Sequence, residues 1–148
     1  MKTLILILII ISFIQTTLMS LNLVLIALIA RSLIRPEKND LILSFGFGLL
    51  ISHLSLAPLG FQSLMYLILV QITQSLSRSR LSANPLLIIP LVLILSSVDI
   101  IATSLLARQS IGLMPQILIE GLISLPIFYS LRLWEERFLI RKEIKLRV

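Results

Sequence analysis

Long runs of Leu and Ile, interrupted at intervals by short polar clusters, set the pattern of this chain. The apolar blocks cover residues 3–18, 21–34, 41–56, 60–76, 86–107 and 112–134. The breaks carry their own chemistry. Arg35-Pro36-Glu37-Lys38-Asn39-Asp40 is charged and holds a Pro, and Leu56-Ala57-Pro58-Leu59-Gly60 reads as a turn. The polar stretch from Ser77 ends in Asn84-Pro85, a turn signal, and Arg108-Gln109-Ser110 closes the last hairpin. Within the blocks the Leu and Ile runs show no usable period. Helices are still the element to expect, because lipid cannot satisfy backbone groups and nothing alternates over ten residues as a barrel strand would.

The pattern predicts an all-α integral membrane protein, a compact bundle of about six transmembrane helices. It forms one transmembrane domain over residues 1–148, with a basic cytoplasmic tail at 135–148. Only the last two blocks reach the roughly 20 residues that a core of about 30 Å requires. The first two are short. Residues Lys2 to Arg35 offer about 50 Å of helix at 1.5 Å per residue, long for one upright span and tight for two. Two short or tilted helices joined at Gln15 to Asn22 are preferred, and a single bent helix is the alternative. Met1-Lys2 before the run Leu4 to Ile14 looks like a signal peptide, but no A-x-A-like cleavage site follows, so an uncleaved first span is expected.

Composition agrees: 57% hydrophobic and 14% charged residues leave too little polar surface to cover a soluble globule of 148 residues. With no Cys, disulfides, thiolate nucleophiles and Cys-ligated metals are excluded. The net charge of +6 matters through its distribution. With Lys2 inside, six spans also place Arg31, Arg35, Lys38, Arg78, Arg80, Arg132, Arg137, Arg141, Lys142, Lys145 and Arg147 inside. Arg108 alone is outside. The positive-inside tendency therefore puts both termini in the cytoplasm.

Two acids interrupt the longest blocks, Asp99 in the fifth and Glu120 in the sixth. A hairpin near residues 108–111 puts them at matching depth on adjacent helices. Two close carboxylates in low dielectric cannot both ionise cheaply, so at least one is expected to carry a proton or find a cation. Ser96, Asp99 and Thr103 follow i, i+3, i+7, and Gln116, Glu120 and Ser124 follow i, i+4, i+8, which makes a polar seam. The seam reads either as a relay or binding cavity, or as interhelical hydrogen bonding that sets register, with Arg108 as a snorkelling counter-ion; the second is preferred. In the third block Ser44, Gly48 and Ser52 form a small-residue face that lets another helix approach closely. Gln71 and Gln74 either bond across the bundle or mark a helix end, the latter preferred for Gln74. Pro126 is expected to kink the sixth helix.

No H-E-x-x-H or Gly-x-Ser-x-Gly is present, and the lone His53 falls near an outer turn with no acid partner. No enzyme activity, cofactor or metal site is expected. The tail, with Trp134, Arg137, Arg141, Lys142, Lys145 and Arg147, suits an extension of the last helix along anionic lipids. Its basic residues lie where topology requires them, so nucleic acid is not an expected partner. A docking segment for a cytoplasmic protein is the other reading.

The order of these features resembles the rod-shape-determining MreD family over nearly the whole chain. The resemblance rests on the Ile14-Gln15-Thr16-Thr17 break and on Leu21-Asn22-Leu23-Val24-Leu25, where the family commonly has Pro-Asn before aliphatics. It rests also on the stretch Phe47 to Leu64 with its Leu59-Gly60 turn, and on Ser97-Val98-Asp99-Ile100-Ile101. One departure stands out: Ser52, beside His53, occupies the position where the family typically has Asp. The resemblance implies a multi-pass protein of the bacterial inner membrane that serves the cell-elongation machinery as a non-enzymatic scaffold. Its implied partners are an MreC-like bitopic protein, with links to RodA, a class B penicillin-binding protein and MreB. The face of Ser44, Gly48 and Ser52 would then meet the partner helix. The alternative is a substrate-binding subunit of an energy-coupling-factor vitamin transporter, which predicts an outer cavity lined by polar residues from several helices.

Overall fold

The computed structural model describes residues 2–18, 21–55, 58–78, 85–107 and 113–144, and these are all-helical, with six α-helices and no strand. The helices are α1 (Lys2–Leu18), α2 (Leu23–Ile34), α3 (Lys38–Leu54), α4 (Phe61–Ser77), α5 (Ile88–Ala107) and α6 (Leu113–Ile144). A 3₁₀ turn at Pro85–Leu87 leads into α5. Each apolar block has become one helix. The first 34 residues form two helices rather than one bent helix, and the last helix runs on into the tail, as far as Ile144. Arg108, Lys145 and Arg147 lie outside the described residues, as does most of the loop containing Arg80. Arg141 and Lys142 belong to the final turns of α6.

The shortest helix is the centre of the bundle. At 12 residues, α2 is about 18 Å long, and it contacts all five other helices. Every residue from Val24 to Leu33 is buried, as expected of a helix that is apolar nearly all round. By contrast, α5 and α6 each contain a segment long and apolar enough to cross a membrane, and only 28% and 22% of those segments is buried. Ile94, Leu105, Leu118, Leu122 and Leu133 are among the large side chains they turn outward.

The tightest packing joins α3 and α4. Gly60, in the left-handed region at φ 93°, ends the predicted Leu59-Gly60 turn and caps α4; few residues other than Gly accept that conformation. Its carbonyl accepts bonds from Leu64 N at 3.0 Å and Ser63 Oγ at 2.8 Å. The turn brings Ser63 onto Gly48. A Cβ at Gly48 would lie 2.4 Å from Ser63 Cα, so the two backbones touch. Ser44, Gly48 and Ser52 are all buried. The small-residue face does receive a helix, but at Gly48 that helix is α4 of the same chain, which corrects the expectation of an outside partner there.

Candidate functional site

A helix buried within a bundle poses a problem at both ends, because its first N–H groups and last C=O groups have no partners of their own. At the N-terminal end of α2 the solution is a cluster of polar side chains from four other helices. Asn22, the residue preceding α2, makes no capping bond with its own side chain. Instead Asn22 N–H donates to Glu120 Oε1 at 3.0 Å, and Val24 N–H donates to Gln15 Oε1 at 3.0 Å. The Asn22 side chain links the rest: Nδ2 donates to Asp99 Oδ2 at 2.8 Å, and Oδ1 accepts from Gln15 Nε2 at 3.2 Å.

Further amides close the cluster. Gln62 Nε2 reaches both Asp99 oxygens at 3.4 Å, and Gln116 Nε2 donates to Glu120 Oε1 at 3.2 Å. Tyr66 of α4, fully buried, sits against Gln15 and Gln62. Asp99 and Glu120 are 1% and 0% exposed. The carboxyls are thus joined through one residue, Asn22, which is half-buried. The dipole of α2 favours negative charge at this end.

Of the seam predicted from spacing, Asp99, Gln116 and Glu120 come together here. Thr103 and Ser124 turn their hydroxyls to their own helices, bonding Asp99 O at 2.8 Å and Gly121 O at 2.5 Å. Ser96 is buried one turn from Asp99, with its hydroxyl unbonded. Gln15, Asn22, Gln62 and Tyr66 were not anticipated as members. Their common signal is position, since three of them stand within the last or first turns of short helices or just before one.

The C-terminal end of α2 has its own network. Arg31, 5% exposed, places Nε 2.8 Å from Asp40 Oδ1 and Nη2 3.5 Å from Glu37 Oε2, and Arg35 Nε lies 2.8 Å from Glu37 Oε1. Glu37 N–H donates to Asp40 Oδ2 at 3.2 Å in a capping box that starts α3. Gln74 Nε2 donates to Glu37 O at 2.8 Å, and Ser77 Oγ to Leu33 O at 3.0 Å. Gln74, in the last turn of α4, thus both marks the helix end and bonds across the bundle, while Gln71 is exposed. Glu135 is buried within electrostatic reach of Arg31 and Arg35. His53 is exposed in the last turn of α3.

A third feature is apolar. A cavity of about 390 Å³ opens between α1, α2 and α6, lined by Leu8, Ala27, Leu28, Pro126 and Leu131, with Trp134 and Arg31 also in its wall. Pro126 lies inside α6, where it removes a backbone donor from the helix wall facing this cavity.

Compared with known proteins, the chain matches no family model, no curated protein and no solved structure.

The cluster makes an ordered prediction. Asn22→Leu leaves Asp99 with only its long contacts to Gln62 and should cost about 1–3 kcal/mol. Gln116→Leu should cost less, because Glu120 Oε1 keeps the Asn22 backbone N–H. Thermal denaturation of the purified protein in detergent, followed by size-exclusion chromatography, measures both; equal losses would mean Asn22 does not tie the cluster.

Proposed function

We propose that this chain is an integral protein of a bacterial inner membrane, with six spans and both termini in the cytoplasm. The outward apolar surfaces of α5 and α6 support membrane residence, since a core helix of a soluble protein would be mostly buried rather than 28% or 22% buried. Hydrogen bonds and ion pairs gather the C-terminal end of α2, the start of α3 and the end of α4 at one level, and Glu135 of α6 lies within electrostatic reach of Arg31 and Arg35 there. Arg31, Arg35, Lys38, Arg78, Arg132 and Arg137 belong to these segments. A bundle with these six basic residues at one end suits the cytoplasmic side. The tail then follows the anionic leaflet.

In that membrane the protein acts as a non-enzymatic scaffold of the cell-elongation machinery, as the resemblance to MreD suggests. Its direct partner is the single span of an MreC-like protein, through which it joins RodA, a class B penicillin-binding protein and MreB. The carrying observation is the apolar groove between α1, α2 and α6, because the face of Gly48 is already filled. Photocrosslinking in membranes tests this. A crosslinking residue at Ile7 or Ile127, in the groove, should capture a single-span protein, and one at the exposed Ile42 of α3 should not. Capture at Ile42 alone would refute the groove.

The polar cluster favours a second reading, a substrate-binding subunit of a vitamin transporter, because four helices and the residue before α2 contribute side chains to one place. In its present arrangement those side chains bond one another. A small molecule retained through native mass spectrometry, and lost in Gln62→Leu, would favour this reading over the scaffold.

A further inference from the structure

The cluster at the N-terminal end of α2 gathers more negative charge than its neighbours offset. The groups bonded to Asp99 and Glu120 are neutral: the backbone and side chain of Asn22, and the amides of Gln62 and Gln116. A helix N-terminus supplies about half a positive charge. With both carboxyls ionised, more than one negative charge would be left in a buried site, which is strongly disfavoured without a counter-charge.

A separate observation points to the same place. Glu120 Oε1 accepts two hydrogen bonds, yet Oε2 of the same carboxyl, on a side chain 0% exposed, has no hydrogen-bond partner. A buried oxygen of this kind is costly unless a hydrogen-bond donor or a cation meets it. The groups facing the pair are Gln15 from α1, Asn22 before α2, Gln62 and Tyr66 from α4, and Gln116 beside Glu120 on α6. Among the described residues no three His, Asp or Glu come together to hold a metal, and two carboxyls are a thin ligand set for a divalent ion.

We propose that Asp99 and Glu120 form a buried site for one small monovalent cation, taken up at the free oxygen of Glu120, while Asn22 donates hydrogen bonds to both carboxyls. One unit of positive charge leaves about one negative charge in the cluster. That charge is met by the amides of Asn22 and Gln62 and by the α2 dipole. A proton and an alkali-metal ion deliver the same charge to the same oxygens, so the chemistry of the site is common to both. Asn22 and Gln116 are the half-buried members, so entry lies on their side of the cluster. The inference goes beyond the scaffold reading and does not depend on it.

Infrared spectroscopy of the full-length protein, in choline buffer free of alkali ions near neutral pH, decides the matter. In that buffer the proton is the available small monovalent cation. The wild type should show the C=O stretch of one protonated carboxyl, shifted in D2O and absent from the D99N/E120Q variant. Sodium chloride added at constant pH then identifies the occupant: a persistent band means a proton, and a lost band means displacement by sodium, with either result supporting the site. A wild-type spectrum without the band, or a band retained in D99N/E120Q, would overturn the proposal; the first of these needs no variant to fold.

Discussion

Arg31→Met is expected to cost about 3–5 kcal/mol of stability, the range for removing one partner of a buried ion pair. Arg31 and Asp40 have side chains 6% and 0% exposed, and their charged atoms lie 2.8 Å apart. Without the guanidinium, Asp40 keeps only the backbone N–H of Glu37, and Glu135 loses a nearby cation. The contribution also spans helices, since Arg31 holds the last turn of α2 to the first turn of α3. Replacing both partners, as R31M/D40L, removes the uncompensated charge together with its counter-charge. That double variant should recover most of the loss, although it forfeits the capping bond. Thermal denaturation in detergent, read as a double-mutant cycle, measures the coupling. Equal stability of Arg31→Met and the wild type would mean that water reaches this pair and the network contributes little.

The existence of six helices was legible because outward-facing and core-facing positions are both apolar, so a long Leu and Ile run needs no period to announce a helix. The same chemistry hides which helix is central. Lipid tails are as apolar as Leu, and there is no compositional reason for Val24 to Ala30 to differ from Leu4 to Ile14. Yet the first run is buried throughout, and the second turns Leu6, Ile10 and Phe13 outward. Length was the available clue. A helix of about 18 Å that is buried on every side ends within the bundle, where its terminal N–H and C=O groups must be met by polar side chains.

That geometry also explains what was legible of the candidate site. Asp99 and Glu120 announce themselves as acids in the midst of apolar runs. Gln15, Asn22 and Gln62 look like ordinary end residues in sequence, because each stands at or near the end of a short element. The ends of short helices fall level with the interior of long ones, and only the three-dimensional arrangement brings the two sets together. Arg31 was disguised in a similar way: as a basic residue ahead of a charged turn it reads as a topology signal, whereas its side chain is buried in an ion pair. Spacing found the close contact at Gly48 but carried no information on whether the approaching helix belongs to the same chain.

Gly48→Leu should be among the most damaging single changes in this protein, and Gly48→Ala should already be harmful. The first atom of any side chain at this position would lie 2.4 Å from Ser63 Cα, 2.8 Å from Ser63 N and 3.0 Å from Gln62 O. All three belong to the backbone of α4, so no rotamer change relieves the clash and the helices must part. Overpacking of this kind costs about 1–3 kcal/mol for a methyl-sized addition, and a larger group exceeds it. The disturbance would travel, because Gln62 is the residue that presents its amide to Asp99. Gly46, two positions earlier on α3, supplies the control: a Cβ there meets nothing within 4 Å. Relief of the helical cost of Gly makes Gly46→Ala neutral or stabilising by up to about 1 kcal/mol. Thermal denaturation of the two Ala variants side by side measures the contrast. A Gly48→Ala protein as stable as Gly46→Ala would show that α3 and α4 are not in backbone contact, and would return the face of Ser44, Gly48 and Ser52 to the partner helix first expected there.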